Sequence, residues 1–214
     1  MPQCKDITTN DQEVIMKQET NNHQRVIALS SPKPGTGTST VAALIALSSG
    51  VKTLIIDQSQ SQDIDALLGL ASSHEPVQQV TNLVDLFITD SIVGVAFPSD
   101  YDLIVIDRGT AQQGQTRSVL IDGAENYLVT RKCYLSLRKA NKLVQHDGVI
   151  IVDEEGRALT NKDVKSVLQT PIVGVVAYSA PLTRSIDSGL LPNRYSPLVE
   201  GLVELAQTPQ VAFA

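Results

Sequence analysis

The sequence predicts a three-layer α/β fold in which a mostly parallel central sheet lies between helices. Short, almost wholly apolar runs recur along the chain, and β-branched runs of this kind are typical of strands covered on both faces. The runs are residues 26–29, 53–56, 103–106, 127–129, 149–152 and 172–176. Segments with helical periodicity lie between them, and strands that alternate with helices imply right-handed crossovers between parallel strands.

The predicted helices are segments whose apolar residues recur at helical spacing. They are residues 40–48, 81–88, 134–145 and 161–168. Thr160 directly precedes the last of them as a predicted N-cap. Because ligands of such sheets bind at the carboxyl ends of the strands, we expect functional residues in the loops that follow the strands.

Length and composition predict one folded domain with a short extension at each end. Residues 25–208 carry the alternating pattern, whereas residues 1–24 are polar and offer little apolar surface to offset the entropy of ordering. We therefore expect a flexible N-terminal arm, a domain over residues 25–208 and a short tail over residues 209–214. Cys4 and Cys133 lack metal-ligand spacing and are predicted to be reduced, non-catalytic thiols.

Charge and hydropathy bear on whether the protein binds nucleic acid or a membrane. The net charge of −6 opposes binding to phosphate backbones, so non-specific DNA binding is possible but not favoured. No apolar run reaches the roughly 20 residues of a membrane span, and the N-terminus lacks the order of a signal peptide. A cytoplasmic location without membrane attachment is the resulting prediction.

The loop after the first strand is a candidate phosphate site. A strand leads into residues 30–40, which are rich in Gly, Ser, Thr and Pro, and an apolar helix follows. In this order of elements a glycine-rich loop can wrap phosphates with its backbone N–H groups. Taken alone, the residues fit a helix-capping turn equally well.

This loop resembles the deviant Walker A loop of the ParA/MinD family of P-loop ATPases, whose pattern is KGGxGK[ST]. Lys33 matches the signature lysine, and Ser39 takes the hydroxyl position that ligates magnesium. The resemblance implies ATP or ADP with Mg²⁺ as ligand and a P-loop fold. The nucleotide-binding residues that it implies are Lys33, Pro34, Gly35, Thr36, Gly37, Thr38, Ser39 and Thr40.

The loop also departs from the family pattern. Pro32 and Pro34 stand at glycine positions, and Thr38 replaces the lysine that binds phosphate. We expect weaker nucleotide affinity, because a charge near the phosphates is lost. The TadZ/CpaE-like and septum-site branch of the family shows a similar loss. Since the signature lysine of the family reaches across a dimer, the resemblance implies a homodimer.

Two aspartates at strand ends complete the resemblance. Asp57 matches the first aspartate of the family's switch, and Asp107 resembles its Walker B aspartate. The implied magnesium residues are therefore Ser39, Asp57 and Asp107, although Asp107 could also be a capping residue that closes its strand. Ser59 stands where the family has the aspartate that orients the attacking water. A hydroxyl cannot replace that carboxylate, so hydrolysis should be slow or absent and no catalytic residue is assigned.

Two further segments bear on partners. The five basic residues between positions 131 and 142 fit a DNA-binding surface or an amphipathic helix with a solvated face, and the second fits better. The late strands resemble those whose loops hold the base, with Asp153 in place of an asparagine. No basic residue follows Arg194, so a MinD-like C-terminal membrane anchor is not expected.

The prediction for function is a ParA/MinD-like nucleotide-binding protein that acts in partitioning, positioning or assembly with a protein partner, and that is at most a slow ATPase. One alternative is a pseudo-ATPase scaffold that binds little nucleotide. Another is an ATP-dependent ligase or synthetase of the dethiobiotin synthetase or cobyrinate type. The missing loop lysine favours the scaffold over the ligase, because phosphoryl transfer depends on electrostatic stabilisation of the phosphates.

Overall fold

An eight-stranded sheet forms the centre of the computed structural model, which describes residues 24–71, 75–92, 97–111, 120–196, 199 and 201–207. The strands are Arg25–Ser31 (β1), Thr53–Asp57 (β2), Val77–Gln79 (β3), Val84–Ile88 (β4), Leu103–Thr110 (β5), Glu125–Arg131 (β6), Gly148–Glu154 (β7) and Ile172–Tyr178 (β8). The helices are Thr38–Ser48 (α1), Ile64–Leu67 (α2), Tyr134–Ala140 (α3), Asn161–Leu168 (α4), Ala180–Asp187 (α5), Leu191–Arg194 (α6) and Val203–Gln207 (α7).

The order of the strands is β3-β4-β2-β5-β1-β6-β7-β8, and the β3–β4 pair alone is antiparallel. Strand β1 therefore lies inside the sheet with β5 on one side and β6 on the other. The predicted α/β fold with a mostly parallel sheet is confirmed, and each of the six predicted strands is present. The carboxyl ends of these parallel strands meet along one edge of the sheet.

The prediction of a helix over residues 81–88 is wrong, because residues 84–88 form strand β4. Val84 and Leu86 are buried while Asp85 between them is half-buried, which is the period-two pattern of a strand. Thr81 closes a turn in front of the strand, where its hydroxyl accepts the N–H groups of Leu83 and Val84. Pairing with β2 then outweighs the weak helical spacing.

Helix α3 is shorter than predicted and ends at Ala140 instead of residue 145. The N–H groups of Lys142 and Leu143 bond three residues back, which closes the helix with a tight turn. The chain then has to return to the sheet, where the buried ring of His146 contacts the Ser30 hydroxyl at 2.9 Å. The prediction for α4 is confirmed together with its cap, because Thr160 and Asp163 form a capping box.

Helix α1 is the most deeply buried helix of the described chain. Its residues from Val41 to Ala46 are all at most 1% exposed, as expected for a helix that is apolar on every side. It packs against the sheet on one side and against α7 on the other. None of the described helices combines the length and the apolar character needed to cross a membrane.

The amino end of β1 is fixed by a buried ion pair. Arg25 donates to both carboxylate oxygens of Glu125, at 2.5 and 2.8 Å, and to the carbonyl of Leu205 in α7 at 2.6 Å. Gln24, the last residue of the predicted arm, is also buried and donates to the carbonyl of Tyr101 at 2.9 Å. Residues 1–23 and 208–214 lie outside the described residues, so the predicted arm and tail stay predictions.

The backbones of two glycine turns are in direct contact. Gly69 follows α2 with φ of 69°, and Gly189 follows α5 with φ of 63°. A Cβ atom on Gly69 would lie 2.2 Å from the carbonyl oxygen of Gly189, which no side chain can accommodate. The contact joins the segment after β2 to the segment after α5.

Candidate functional site

The loop between β1 and α1 is shaped by two glycines with left-handed backbone. Gly35 has φ of 70°, and Gly37, the N-cap of α1, has φ of 104°. Between them Thr36 is 1% exposed, and its hydroxyl donates to the carbonyl of Lys33 at 2.7 Å. The loop therefore closes over the N-terminus of α1, where unpaired backbone N–H groups and the helix dipole favour an anion.

The loop forms one wall of a cleft of about 930 Å³, a volume suited to a small-molecule ligand. The other walls are the segment after β2, residues 58–61, and the last residues of β5, 108–110. All the predicted nucleotide-binding residues except Lys33 line this cleft. Lys33 is half-buried in the loop, and its Nζ lies 3.4 Å from the carbonyl oxygen of Pro34.

Asp57 and Asp107 lie side by side under the cleft, because β2 and β5 pair in a register that aligns the two residues. Both are fully buried. The carboxylate of Asp57 accepts the backbone N–H of Ser59 at 2.9 Å and that of Ile64 at 3.2 Å. Burial raises the pKa of Asp57, and these bonds oppose the rise. Asp57 thereby shapes the segment that follows its strand.

Asp107 differs from Asp57 in having an oxygen without a partner. Its Oδ1 accepts the N–H of Gly109 at 2.8 Å, whereas no hydrogen bond of ordinary geometry reaches Oδ2 from any described residue. The Ser39 hydroxyl lies beside this carboxyl group. Burial, and then the charge of Asp57, raises the pKa of Asp107 to about 6. Strand β5 continues three residues beyond Asp107 to Thr110, so this carboxylate does not cap the end of a strand.

The donor set fits a magnesium ion that shares its ligands with a phosphate chain. Mg²⁺ in proteins commonly takes one or two carboxylates and fills its other positions with water and phosphate oxygens. Asp107 Oδ2 and the Ser39 hydroxyl offer such a pair next to the phosphate loop. No group of three or more His, Cys, Asp or Glu that could hold a metal by itself exists among the described residues. The site therefore suits an ion that arrives with a ligand.

Ser59 lines the cleft, but its side chain is a neutral hydroxyl and not a carboxylate that could orient water for hydrolysis. It is 4% exposed, its hydroxyl accepts the N–H of Gln62 at 3.1 Å, and it lies 3.5 Å from the Ser61 hydroxyl. Gly109 packs against it so tightly that a Cβ there would lie 3.1 Å from the Cβ of Ser59. Ser59 thus holds the segment in place.

Comparison with known proteins supports the fold and leaves the sequence without a close match. No family sequence model and no curated protein sequence matches the chain. Solved structures do match. A ParA family ATPase from Chlorobium tepidum TLS superposes with a TM-score of 0.69 and 21% identity, over 87% of this chain and 98% of that chain.

Two further similar structures are MinD proteins. The septum site-determining protein MinD from Pyrococcus horikoshii OT3, complexed with Mg-ADP, gives a TM-score of 0.68 at 19% identity, over 86% of this chain and 94% of that one. The MinC:MinD cell division complex of Aquifex aeolicus gives 0.67 at 17% identity, over 85% and 93%. The chain has the ParA/MinD ATPase fold. At these identities the likeness establishes the fold, and the site has to be argued from its own residues.

Sequence analysis did not identify Arg131, whose side chain contacts the loop between β1 and α1. Arg131, the last residue of β6, donates from Nε to the carbonyl of Thr36 at 3.3 Å and is 19% exposed. Lys132 pairs with Asp153 at 2.6 Å and is 15% exposed. These two residues precede α3 and are paired, whereas on the predicted solvated face of the helix Arg138 and Lys142 are exposed and Lys139 is half-buried. A basic residue that ends a buried strand was the available signal.

The two loop glycines provide a matched test of this backbone shape. Gly35→Ala puts a Cβ into open space, whereas a Cβ on Gly37 would lie 3.4 Å from the Cγ2 of Val152, at a φ of 104° that L-residues avoid. We expect Gly35→Ala to lower the free energy of unfolding by about 1 kcal/mol and Gly37→Ala by about 2 kcal/mol or more. Urea denaturation measures both, and equal losses would contradict the assigned loop shape.

Proposed function

We propose that this protein is a ParA/MinD-type positioning, partitioning or assembly factor that binds ATP or ADP with Mg²⁺ and hydrolyses ATP slowly or not at all. The observation that carries the proposal is the fully buried carboxylate of Asp107, which lies beside the Ser39 hydroxyl of α1 and whose Oδ2 accepts no hydrogen bond of ordinary geometry from the described residues. A buried carboxylate oxygen without a donor costs free energy unless a cation or a water occupies the position beside it. Mg²⁺ bound to a phosphate chain would complete both groups at once.

The charges of the cleft make the metal essential to this proposal. Asp63 and Asp90 line the cleft, Asp57 and Asp107 lie beneath it, and Arg108 is the cation among its described lining residues. Thr38 adds no charge where a lysine would balance the phosphates. A free triphosphate would therefore meet net negative charge, whereas its Mg²⁺ complex would not. The bound ion supplies the charge neutralisation, and the chain supplies the loop N–H groups and the Ser39 hydroxyl.

Slow turnover is part of the proposal because Ser59 occupies the position at which the ParA/MinD pattern has the aspartate that orients water. Ser59 is a neutral hydroxyl that already accepts the N–H of Gln62. We further propose a homodimer and a protein partner. Lys33 does not line its own cleft, which fits a role towards a second copy, and the A. aeolicus MinD in the comparison is in complex with MinC.

Calorimetric titration with ATP and with ADP, in Mg²⁺ and again in EDTA, tests the proposal. We expect micromolar binding in Mg²⁺ and at least about tenfold weaker binding in EDTA. Ser39→Ala should weaken binding in Mg²⁺ by about tenfold, because it removes the hydroxyl ligand. Lys142→Ala serves as the matched control, since this exposed lysine lies on the surface after α3 and should leave the affinity unchanged.

The same titration separates the proposal from the scaffold alternative. The observation that favours a scaffold is the acidic cleft in which Thr38 replaces the lysine that binds phosphate. No heat at millimolar nucleotide, together with no shift in melting temperature, would overturn nucleotide binding and leave the protein as an interaction scaffold with an ATPase fold. Equal affinities in Mg²⁺ and in EDTA would overturn the metal site alone.

A further inference from the structure

We infer that the cleft recognises the phosphate chain and the Mg²⁺ of its ligand but not the base, so that nucleoside triphosphates of any base and inorganic tripolyphosphate are equivalent ligands. The inference rests on the proposed function and names the ligand class more closely. Two features carry it: the composition of the cleft lining, and the pairing of the side chains at the neighbouring strand ends.

Most of the described residues that line the cleft have polar side chains. Leu67 and Pro34 are its apolar members besides glycine, and the remainder consists of Ser, Thr, Gln, Asp and one Arg, with no aromatic residue among the lining residues that the structure describes. Proteins hold bases by stacking them on aromatic rings or by enclosing them between apolar walls. A lining of hydroxyls, glycines and carboxylates suits phosphate oxygens and a hydrated cation instead.

The charged side chains at the end of β7 form ion pairs with residues outside the strand. Asp153 pairs with Lys132 at 2.6 Å. Glu154 accepts from Nε of Arg157 at 3.0 Å and lies 3.5 Å from a terminal nitrogen of Arg131. A base edge read by these side chains would have to share or replace the partners of their ion pairs, which weakens the pairs.

Tyr178, an aromatic residue at the end of β8, has a cationic side chain stacked on its ring. Tyr178 is 38% exposed, and the guanidinium carbon of Arg131 lies 5.0 Å from the centroid of its ring. The same Arg131 donates to the carbonyl of Thr36 in the phosphate loop. A base that stacked on this face would displace Arg131 from both the ring and the loop. Binding of the base would therefore oppose the loop shape that holds the phosphates.

Parallel titrations with ATP, GTP, CTP and sodium tripolyphosphate, all in Mg²⁺, test the inference on the wild-type protein and on Tyr178→Ala. We expect the four dissociation constants to agree within about threefold. Tyr178→Ala should leave their ratios unchanged, because no base stacks on the ring. Circular dichroism and the melting temperature verify that the variant is folded, and Tyr178→Leu replaces it if it is not.

The possible results separate cleanly. A preference of about tenfold or more for one nucleotide over the other ligands overturns the inference and leaves the proposed function standing. So does a Tyr178 variant that binds nucleotides more weakly while its affinity for tripolyphosphate stays the same, since the base must then contact the ring. Failure to bind any of the four ligands overturns the proposed function together with the inference.

Discussion

Replacing Asp107 with asparagine is expected to make the ligand-free protein more stable at about pH 7 and to remove the proposed Mg²⁺-dependent nucleotide binding. The amide oxygen can still accept the N–H of Gly109, while the buried charge disappears. Since burial and the charge of Asp57 raise the pKa of this carboxyl from 3.8 to about 6, we expect a gain on the order of 3 kcal/mol in the free energy of unfolding. Chemical denaturation and calorimetry with Mg-ATP measure the two effects.

Asp57→Asn is the matched control, because it removes the same charge one strand away. Each of its two carboxylate oxygens accepts one backbone N–H group, from Ser59 and from Ile64. An asparagine side chain has only one oxygen and can replace only one of these acceptors. One buried donor would lose its partner at a cost of about 1–3 kcal/mol, so we expect no gain in stability from this variant. An equal gain in both variants would contradict the assigned difference between the two carboxylates.

The raised pKa of Asp107 also gives the ligand-free protein a defined dependence on pH. The folded state binds this proton more tightly than the unfolded chain, because the folded pKa of about 6 lies above 3.8. The contribution of Asp107 to the free energy of unfolding therefore rises as the pH falls through 6 towards 4, and it is lost as the pH rises again. The difference in stability between wild type and Asp107→Asn should shrink over that interval.

Restoring two lost groups should convert the protein into a measurable ATPase. Thr38 is the first residue of α1 and lines the cleft, so Thr38→Lys places a cation beside the phosphates. We expect at least about tenfold tighter ATP binding from this substitution alone. Adding Ser59→Asp supplies the carboxylate that the ParA/MinD resemblance places there, and the double variant should release phosphate at a rate clearly above wild type.

Thr40→Lys is the charge-matched control for this pair. It adds the same charge to the first turn of the same helix two residues later, and we expect a smaller gain in affinity because residue 40 stands outside the lysine position of the motif. Tight binding by the double variant without phosphate release would show that residues 38 and 59 do not account for slow turnover. Ser59→Asp alone should release no phosphate, since it adds charge to an already acidic cleft.

Much of the fold could be predicted from the sequence, because strands buried on both faces need continuous apolar runs. Strand β4 escaped this signal, since its apolar residues Val84 and Ile88 also satisfy the four-residue spacing of a helix. Only its pairing with β2 decides between the two interpretations. Strand β3 is three residues long and half-exposed, and it carries no pattern that the sequence could reveal.

The position of the two aspartates at strand ends could also be predicted, whereas the hydrogen bonds around them could not. Both aspartates follow buried apolar runs, so the sequence places them near the carboxyl ends of strands, and the pairing of β2 with β5 aligns them. Which of their oxygens lacks a donor depends on loop geometry that no local pattern encodes. The contact of Arg131 with Thr36 joins residues 95 positions apart, so it also lay beyond local inference.

The contact between Gly69 and Gly189 gives the molecule a stiff mechanical linkage. Side chains can yield by changing rotamer, but two backbones in direct contact have no such slack. The Gly69 turn follows the segment that lines the cleft beside Ser59, and the Gly189 turn lies beyond β8 and α5. A displacement of the Gly69 turn towards the Gly189 turn would therefore have to move both backbones, which links the segment beside the cleft to the turn after α5.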